Sequence, residues 1–137
     1  MINEVNVLWN KKMSFTADVL GHKIILDTDS NSGGENKGTR PKPLMLVALA
    51  GCTGMDVVSL LVKMKMKFDY FNVKVIGEVR EEHPKKYTEM TVIYEFKGDD
   101  LEYEKIEKAI KLSQEKYCGV LAFYKEVINV NYEIKLL

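Results

Sequence analysis

Two thiols are the side chains of this sequence best suited to chemistry, and their settings differ. Cys52 lies in an apolar run from Leu44 to Val58, flanked by Gly51 and Thr53, and Cys118 follows 66 residues later in Lys116-Tyr117-Cys118-Gly119-Val120. Brought together by the fold, the two form a redox couple; kept apart, they are small core residues. A thiol attacks only as thiolate, and its unperturbed pKa is about 8.5. Burial of Cys52 among Ala50, Met55 and Val58 raises that value, so a cation or hydrogen-bond donor must offset it. Asp56 follows Cys52 at i+4, on the same helical face, where it can cap, pair across a dimer or orient a site. Cys118 reads as the end of a helix, where the negative end of the dipole opposes a thiolate. That setting suits a resolving cysteine better than an attacking one.

Other chemistries find little support. His22 and His83 both fall in turns, and no ligand pair has the short spacing of a Cys2His2 zinc site, so no metal is expected. His83, in Glu81-Glu82-His83-Pro84, reads as a solvated turn residue. Ser32-Gly33-Gly34-Glu35-Asn36-Lys37-Gly38-Thr39 lacks the Gly-Lys-Ser/Thr ending of a phosphate loop, and no cofactor motif is present. The formal net charge is zero, so no global field draws nucleic acid or an anionic membrane. Positive charge is carried mostly by lysine; Arg40 and Arg80 are the two arginines.

The elements that must position the thiols can be read from periodicity. Val5, Val7 and Trp9 alternate with polar neighbours, as do Met13, Phe15, Ala17 and Val19, and Lys23 to Asp27 follows the Gly21-His22 turn. These are three half-buried strands in a meander. Asp27 to Arg40 is a loop whose most flexible point is Ser32-Gly33-Gly34. Pro41 and Pro43 suit a helix start, and the spacing predicts one long helix to about Phe68. Within it, Gly51 and Gly54 either permit close approach of another element or mark a kink. Val73–Glu82 and Thr88–Lys97 read as strands, and Met90, Val92, Tyr94 and Phe96 alternate. A second helix is expected from about Leu101 to Tyr117, with i,i+4 pairs Glu104–Lys108 and Glu107–Lys111 and a stop at Gly119. A short helical piece through Tyr124 and a last strand, Ile128 to Leu136, complete the order β-β-β-α-β-β-α-β.

At 137 residues this is a single domain spanning 1–137. Leu44 to Val62 is long and apolar, but Asp56 inside it argues for a buried core helix rather than a membrane span. The N-terminal residues lack a signal-peptide core, so the expected compartment is the cytoplasm, where a structural disulfide is the less common use of two cysteines. The nearly all-apolar first helix needs more cover than one sheet gives, which argues for a homodimer with paired helices.

Three separated segments resemble the OsmC/Ohr family (osmotically inducible protein C and organic hydroperoxide resistance proteins). They are Pro43 to Leu61 around Gly51-Cys52-Thr53-Gly54-Met55-Asp56, Glu82-His83-Pro84-Lys85-Lys86-Tyr87-Thr88, and Lys111 to Val120 around Cys118. The motif at Cys52 is closer to the broad OsmC-like subgroup than to the dedicated organic-peroxide enzymes. The resemblance implies an α+β, OsmC-like fold, an intertwined homodimer whose six-stranded sheets wrap paired central helices, with sites at the dimer interface. It implies a peroxiredoxin-like thiol peroxidase acting in oxidative stress, with Cys52 attacking a hydroperoxide, Cys118 resolving, and a lipoyl-type or small-molecule dithiol as reductant. The family's active peroxidases use an N-terminal arginine and a glutamate at the start of the central helix. This chain has no arginine before Arg40 and offers Pro41-Lys42-Pro43 at the helix start. Arg40, Lys42, Lys11, Lys12 or His83 would have to substitute, with Asp56 in support. The missing pair motivates two alternatives: a non-catalytic binding module for a small apolar ligand at the dimer interface, and a redox sensor.

Overall fold

A computed structural model describes residues 1–137. The chain divides into two compact units, Met1–Met45 and Leu46–Leu137. It is a mixed α+β fold containing two three-stranded sheets.

The N-terminal unit is an antiparallel meander of β1 (Val5–Trp9), β2 (Phe15–Val19) and β3 (His22–Leu26). The β2–β3 turn places Leu20 at φ 51° and Gly21 at φ 87°. Two successive positive φ values match the twist of a two-residue hairpin, and glycine adopts them without steric cost. The loop after β3 is more ordered than its composition predicts. The buried Asp27 carboxylate accepts the backbone N–H groups of Thr28 (2.7 Å), Lys37 (3.1 Å) and Glu35 (3.3 Å). Ser32-Gly33-Gly34 falls inside this turn-rich arc, where Gly34 N–H also reaches Asp29 O at 2.9 Å. The expected point of greatest flexibility is therefore hydrogen-bonded on both sides.

In the C-terminal unit, β4 (Tyr70–Val79), β5 (Tyr87–Lys97) and β6 (Asn129–Leu136) form the second sheet with β5 in the centre. β4 pairs antiparallel with β5, while β6 runs parallel to it, so a crossover must carry the chain back. That crossover contains α2 (Tyr103–Leu112), a π-turn (Ser113–Tyr117) and α3 (Gly119–Tyr124). Met90, Val92, Tyr94 and Phe96 of β5 are all buried, but so are Ile93 and Glu95 between them, so this central strand is covered on both faces. Met90, Val92, Tyr94 and Phe96 meet Ile106, Ala109 and Ile110 of α2, Leu121 of α3, and the buried side of α1 (Leu44–Lys63).

α1 is shorter at both ends than its apolar run suggests. Pro41 to Pro43 form a preceding turn, with Leu44 N–H bonded to Pro41 O, so the prolines lie before the helix and not in it. The other end closes at Lys65, φ 58°, where Lys65 N–H bonds Val62 O and Met66 N–H bonds Leu61 O. This is a Schellman closure, sealed by the buried Met66 and Leu61 side chains. One face of α1 (Leu49, Thr53, Val57, Leu61) is buried at i+4 steps, and Gly54 beside it would bring a Cβ within 3.3 Å of Val73. Gly54 thus permits close approach; Gly51 has open space around it and marks no kink in the continuous helix. The opposite face exposes Val47, Met55, Val58 and Val62. α1 has the length and hydropathy of a membrane-crossing helix, yet one of its faces packs as a core helix does.

The second helix also differs from expectation. It stops being α-helical at Leu112, and Cys118 N–H bonds Ser113 O at 2.9 Å, the i→i−5 link of a π-turn. Of the two expected i,i+4 pairs, Glu107–Lys111 is the one that forms, at 3.8 Å.

Candidate redox site at Cys52 and Cys118

Both cysteines belong to the C-terminal unit, and the fold brings them together. Cys52 is half-buried on α1; Cys118 is 3% exposed at the junction of the π-turn and α3. Asp56, one turn beyond Cys52, joins them: the two sulfurs and an Asp56 carboxylate oxygen all lie within 4.8 Å of one another. Both thiols are free. Closing that gap to a disulfide bond of about 2.05 Å needs sulfur movement of less than about 3 Å, the scale of a side-chain rotation.

Cys118 is held differently from the helix-end reading. The chain leaves the helical conformation there (φ −76°, ψ 101°), and Cys118 becomes the N-cap of α3, its sulfur accepting Leu121 N–H at 3.4 Å. That donor favours a thiolate, but it is outweighed. Burial, then a hydrogen bond with Cys52, push the Cys118 thiol up to about 12, and the Cys52 and Asp56 charges add to the rise. Cys118 therefore keeps its proton at neutral pH, and its S–H is available to Cys52. The cause of the rise is desolvation first, where the sequence pointed to a helix dipole.

Beneath the pair runs a buried polar chain. Gln114 Nε2 donates to the Tyr94 hydroxyl (2.9 Å), Tyr94 and Thr53 share a hydroxyl contact (2.7 Å), and so do Thr53 and Ser113 (2.7 Å). Ser113 Oγ also donates to Asp56 Oδ2 at 2.9 Å. Burial raises the Tyr94 phenol pKa, against its bonds to Thr53 and Gln114. No buried side-chain nitrogen or oxygen is left without a partner. The chain ties α1, β5 and the π-turn together at the level of the two sulfurs and fixes one oxygen of Asp56 from below. On its outer side Asp56 borders a cleft of about 190 Å³, also lined by Ser59, Leu60, Lys63 and Tyr117.

The remaining sequence candidates have other partners or settings. His83 is exposed in the β4–β5 turn, and no hydrogen bond or ion pair joins it to either cysteine. Arg40 is engaged within the N-terminal unit by Asn36 Oδ1 (2.6 Å), Gly38 O (3.3 Å) and Asp29 (4.0 Å). Lys42, Lys11 and Lys12 also belong to that unit; Lys11 lies over the Trp9 ring and Lys12 faces Glu35 at 3.8 Å. Thr53, Tyr94, Ser113 and Gln114 were not singled out from sequence. Their signal was slight: hydroxyl groups at core positions of otherwise apolar periodic segments, where each must find a partner.

Comparison with known proteins agrees with this architecture. The family model described as OsmC-like protein matches residues 34–133. The protein YhfA of Escherichia coli K12 is 31% identical over 135 residues, covering 98% of each chain. A hypothetical protein from Aquifex aeolicus VF5 superposes with TM-score 0.84 at 32% identity, over 100% of this chain and 98% of that one. The organic hydroperoxide resistance protein OhrB of Bacillus subtilis superposes with TM-score 0.64 at 18% identity, over 98% of each chain, a likeness of fold.

Proposed function

The chain belongs to the OsmC-like family, and we propose that it is a thiol-dependent hydroperoxide reductase using Cys52 and Cys118. The observation that carries this reading is the gathering of both sulfurs and Asp56 within 4.8 Å. The Cys52 thiolate attacks the terminal peroxide oxygen, the O–O bond breaks, and the alkoxide leaves to be protonated as alcohol. Cys52 is then a sulfenic acid. The Cys118 sulfur attacks the Cys52 sulfur; its proton leaves with the displaced hydroxide as water, and the disulfide forms. A dithiol, lipoyl-type or small, restores both thiols by exchange.

Neither arginine hydrogen-bonds to Cys52, Cys118 or Asp56, and the pair's own surroundings fill part of the role of a guanidinium that steadies such a thiolate. The Cys118 S–H stabilises charge on Cys52. Asp56, oriented by Ser113, is the proton acceptor beside the pair and returns the proton to the leaving alkoxide. A carboxylate also repels a neighbouring thiolate, so slow turnover is expected.

The reading extends to a homodimer. The exposed Val47, Met55, Val58 and Val62 of α1, with a shallow apolar hollow of about 450 Å³ lined by Gly51, Gly54, Met55, Val58, Ser59 and Phe71, suit the same face of a second copy. The matched segment crosses the boundary between the two units, which supports treating residues 1–137 as one OsmC-like domain. Two free thiols fit a reducing compartment, the cytoplasm. The same hollow supports a second reading, a binding module for a small apolar ligand without turnover.

Reduced protein should consume cumene hydroperoxide with dihydrolipoamide or dithiothreitol, and Cys52→Ser should abolish it. Wild-type turnover no faster than that of Cys52→Ser would end the catalytic reading. Ligand recovered by native mass spectrometry from an inactive protein would favour the binding one.

A further inference from the structure

We propose that Cys52, Asp56 and Cys118 in the reduced protein form a binding site for a thiophilic divalent cation, zinc foremost. No short metal motif is present in the sequence; the site is made by the fold. Cys52 and Asp56 stand at i and i+4 on α1, the spacing that two-ligand zinc helices use. Cys118 enters from the π-turn and closes the third corner.

The distances suit the ion. Two thiolates bound at about 2.3 Å in a tetrahedron stand about 3.8 Å apart. The three ligand atoms here lie within 4.8 Å of one another, so contraction by at most about 1.3 Å makes a Cys2Asp set. The supporting groups are already in place. Ser113 holds the Asp56 carboxylate through Oδ2, and Leu121 N–H fixes the Cys118 sulfur. Such outer contacts orient ligands and strengthen binding. Asp56 borders the cleft and Cys52 is only half-buried, so the three ligands are not sealed from solvent.

Electrostatics point the same way. Zinc displaces the protons of the two thiols to solvent as it binds, and its two positive charges offset the charges of both sulfurs and the carboxylate. Lys63, which lines the outer cleft, is the basic side chain facing that opening. Two sulfur ligands select zinc, cadmium or cobalt over magnesium and calcium. The ion and a disulfide use the same sulfurs, so one excludes the other, whatever oxidises the pair. The site does not depend on the catalytic reading: a protein that reduces no peroxide would still bind zinc here.

The test is titration of the fully reduced chain, under anaerobic conditions, with Zn2+ or Co2+ alone and with Mg2+ as control. One metal per chain is expected, with a thiolate-to-cobalt charge-transfer band and no response to Mg2+. Zn2+ should slow alkylation of both thiols at least tenfold, and a chelator should restore it. Cys52→Ser and Cys118→Ser should each lose the band, and Asp56→Asn should weaken binding by about tenfold or more. Wild type and Asp56→Asn suffice should either serine variant fail to fold. Substoichiometric metal in reduced wild type would overturn the site, as would unaltered thiol reactivity under Zn2+ or binding that survives in both cysteine variants. Equal affinity in Asp56→Asn would remove Asp56 and overturn the three-ligand set.

Discussion

The two units of this chain bury very different things. In the C-terminal unit, α1, α2, α3 and β5 share one cluster in which Tyr94, Phe96, Leu49, Leu61, Ile106 and Ile110 are fully buried. In the N-terminal unit, Ala17 and Asp27 are the buried residues, and β1 is exposed along its whole length, including Val5, Val7, Leu8 and Trp9. One unit is held by apolar burial, the other by strand pairing and a carboxylate that gathers backbone N–H groups. The candidate chemistry lies in the unit with the core. Bringing sulfur atoms on different elements within bonding reach requires surroundings that cannot relax, and close packing supplies them.

This contrast can be broken most directly by truncating the core. Phe96→Ala should cost the C-terminal unit about 3–5 kcal/mol in denaturant unfolding. Met55→Glu, on the exposed face of α1, should leave monomer stability nearly unchanged and instead weaken self-association by about a hundredfold, since a dimer would have to bury an unpaired charge. Sedimentation analysis measures the second effect. A Met55→Glu chain that associates as wild type does would move the interface off this face.

A smaller effect separates packing from polar satisfaction inside the core. Thr53→Val keeps the shape of the side chain but deprives Tyr94 and Ser113 of a partner. The expected loss is about 1–3 kcal/mol, read from urea midpoints, together with faster alkylation of Cys118 as its surroundings loosen. No change in either would mean that the hydroxyl chain is incidental to the site.

The mildest test concerns pH and the N-terminal unit. The N–H donors of Lys37 and Thr28, with lesser help from Glu35 and the Arg40 charge, hold the Asp27 carboxyl below its usual range. Its stabilising contribution is therefore complete above the unfolded carboxyl value, about 4, and is lost as pH falls through the lowered folded one. The single tryptophan, Trp9, lies in this unit. Its fluorescence should change with acid below about pH 4 in wild type, and that step should be absent in Asp27→Asn. At the other end of the scale, the raised Cys118 value implies stability present below about pH 8.5 and lost as pH climbs towards 12. Cys118→Ala should flatten that alkaline loss.

Much of this was legible in the sequence, and what was not has physical reasons. The strands β2 and β5 and the i+4 relation of Cys52 and Asp56 are local and were legible, although burial on both faces of β5 overrides its alternation. The ends of α1 were overestimated because the apolar run continues through the preceding turn and past the Schellman closure, whose αL residue is Lys65 rather than glycine. The parallel pairing of β6 with β5 left no local mark, since an alternating strand reads alike in either direction. Likewise, nothing between Cys52 and Cys118 announces that they meet; resemblance to a family suggested it, and the crossover brings it about. The buried hydroxyl chain was hidden because Thr53 and Ser113 fit helical spacing as well as alanine would.

The π-turn at Ser113–Tyr117 carries a consequence for insertions and deletions. A π-turn spends one residue more than an α-turn to cover the same rise. Removing any one residue there would turn the Cys118 N–H to Ser113 O link into an i→i−4 bond and change how the chain leaves the turn for α3. The bond of Ser113 to Asp56 and the approach of Cys118 to Cys52 would then have to readjust together. The spacing between these two residues is therefore as constrained as their identities: this segment tolerates substitution at its exposed Glu115, Lys116 and Tyr117 but not a change in length.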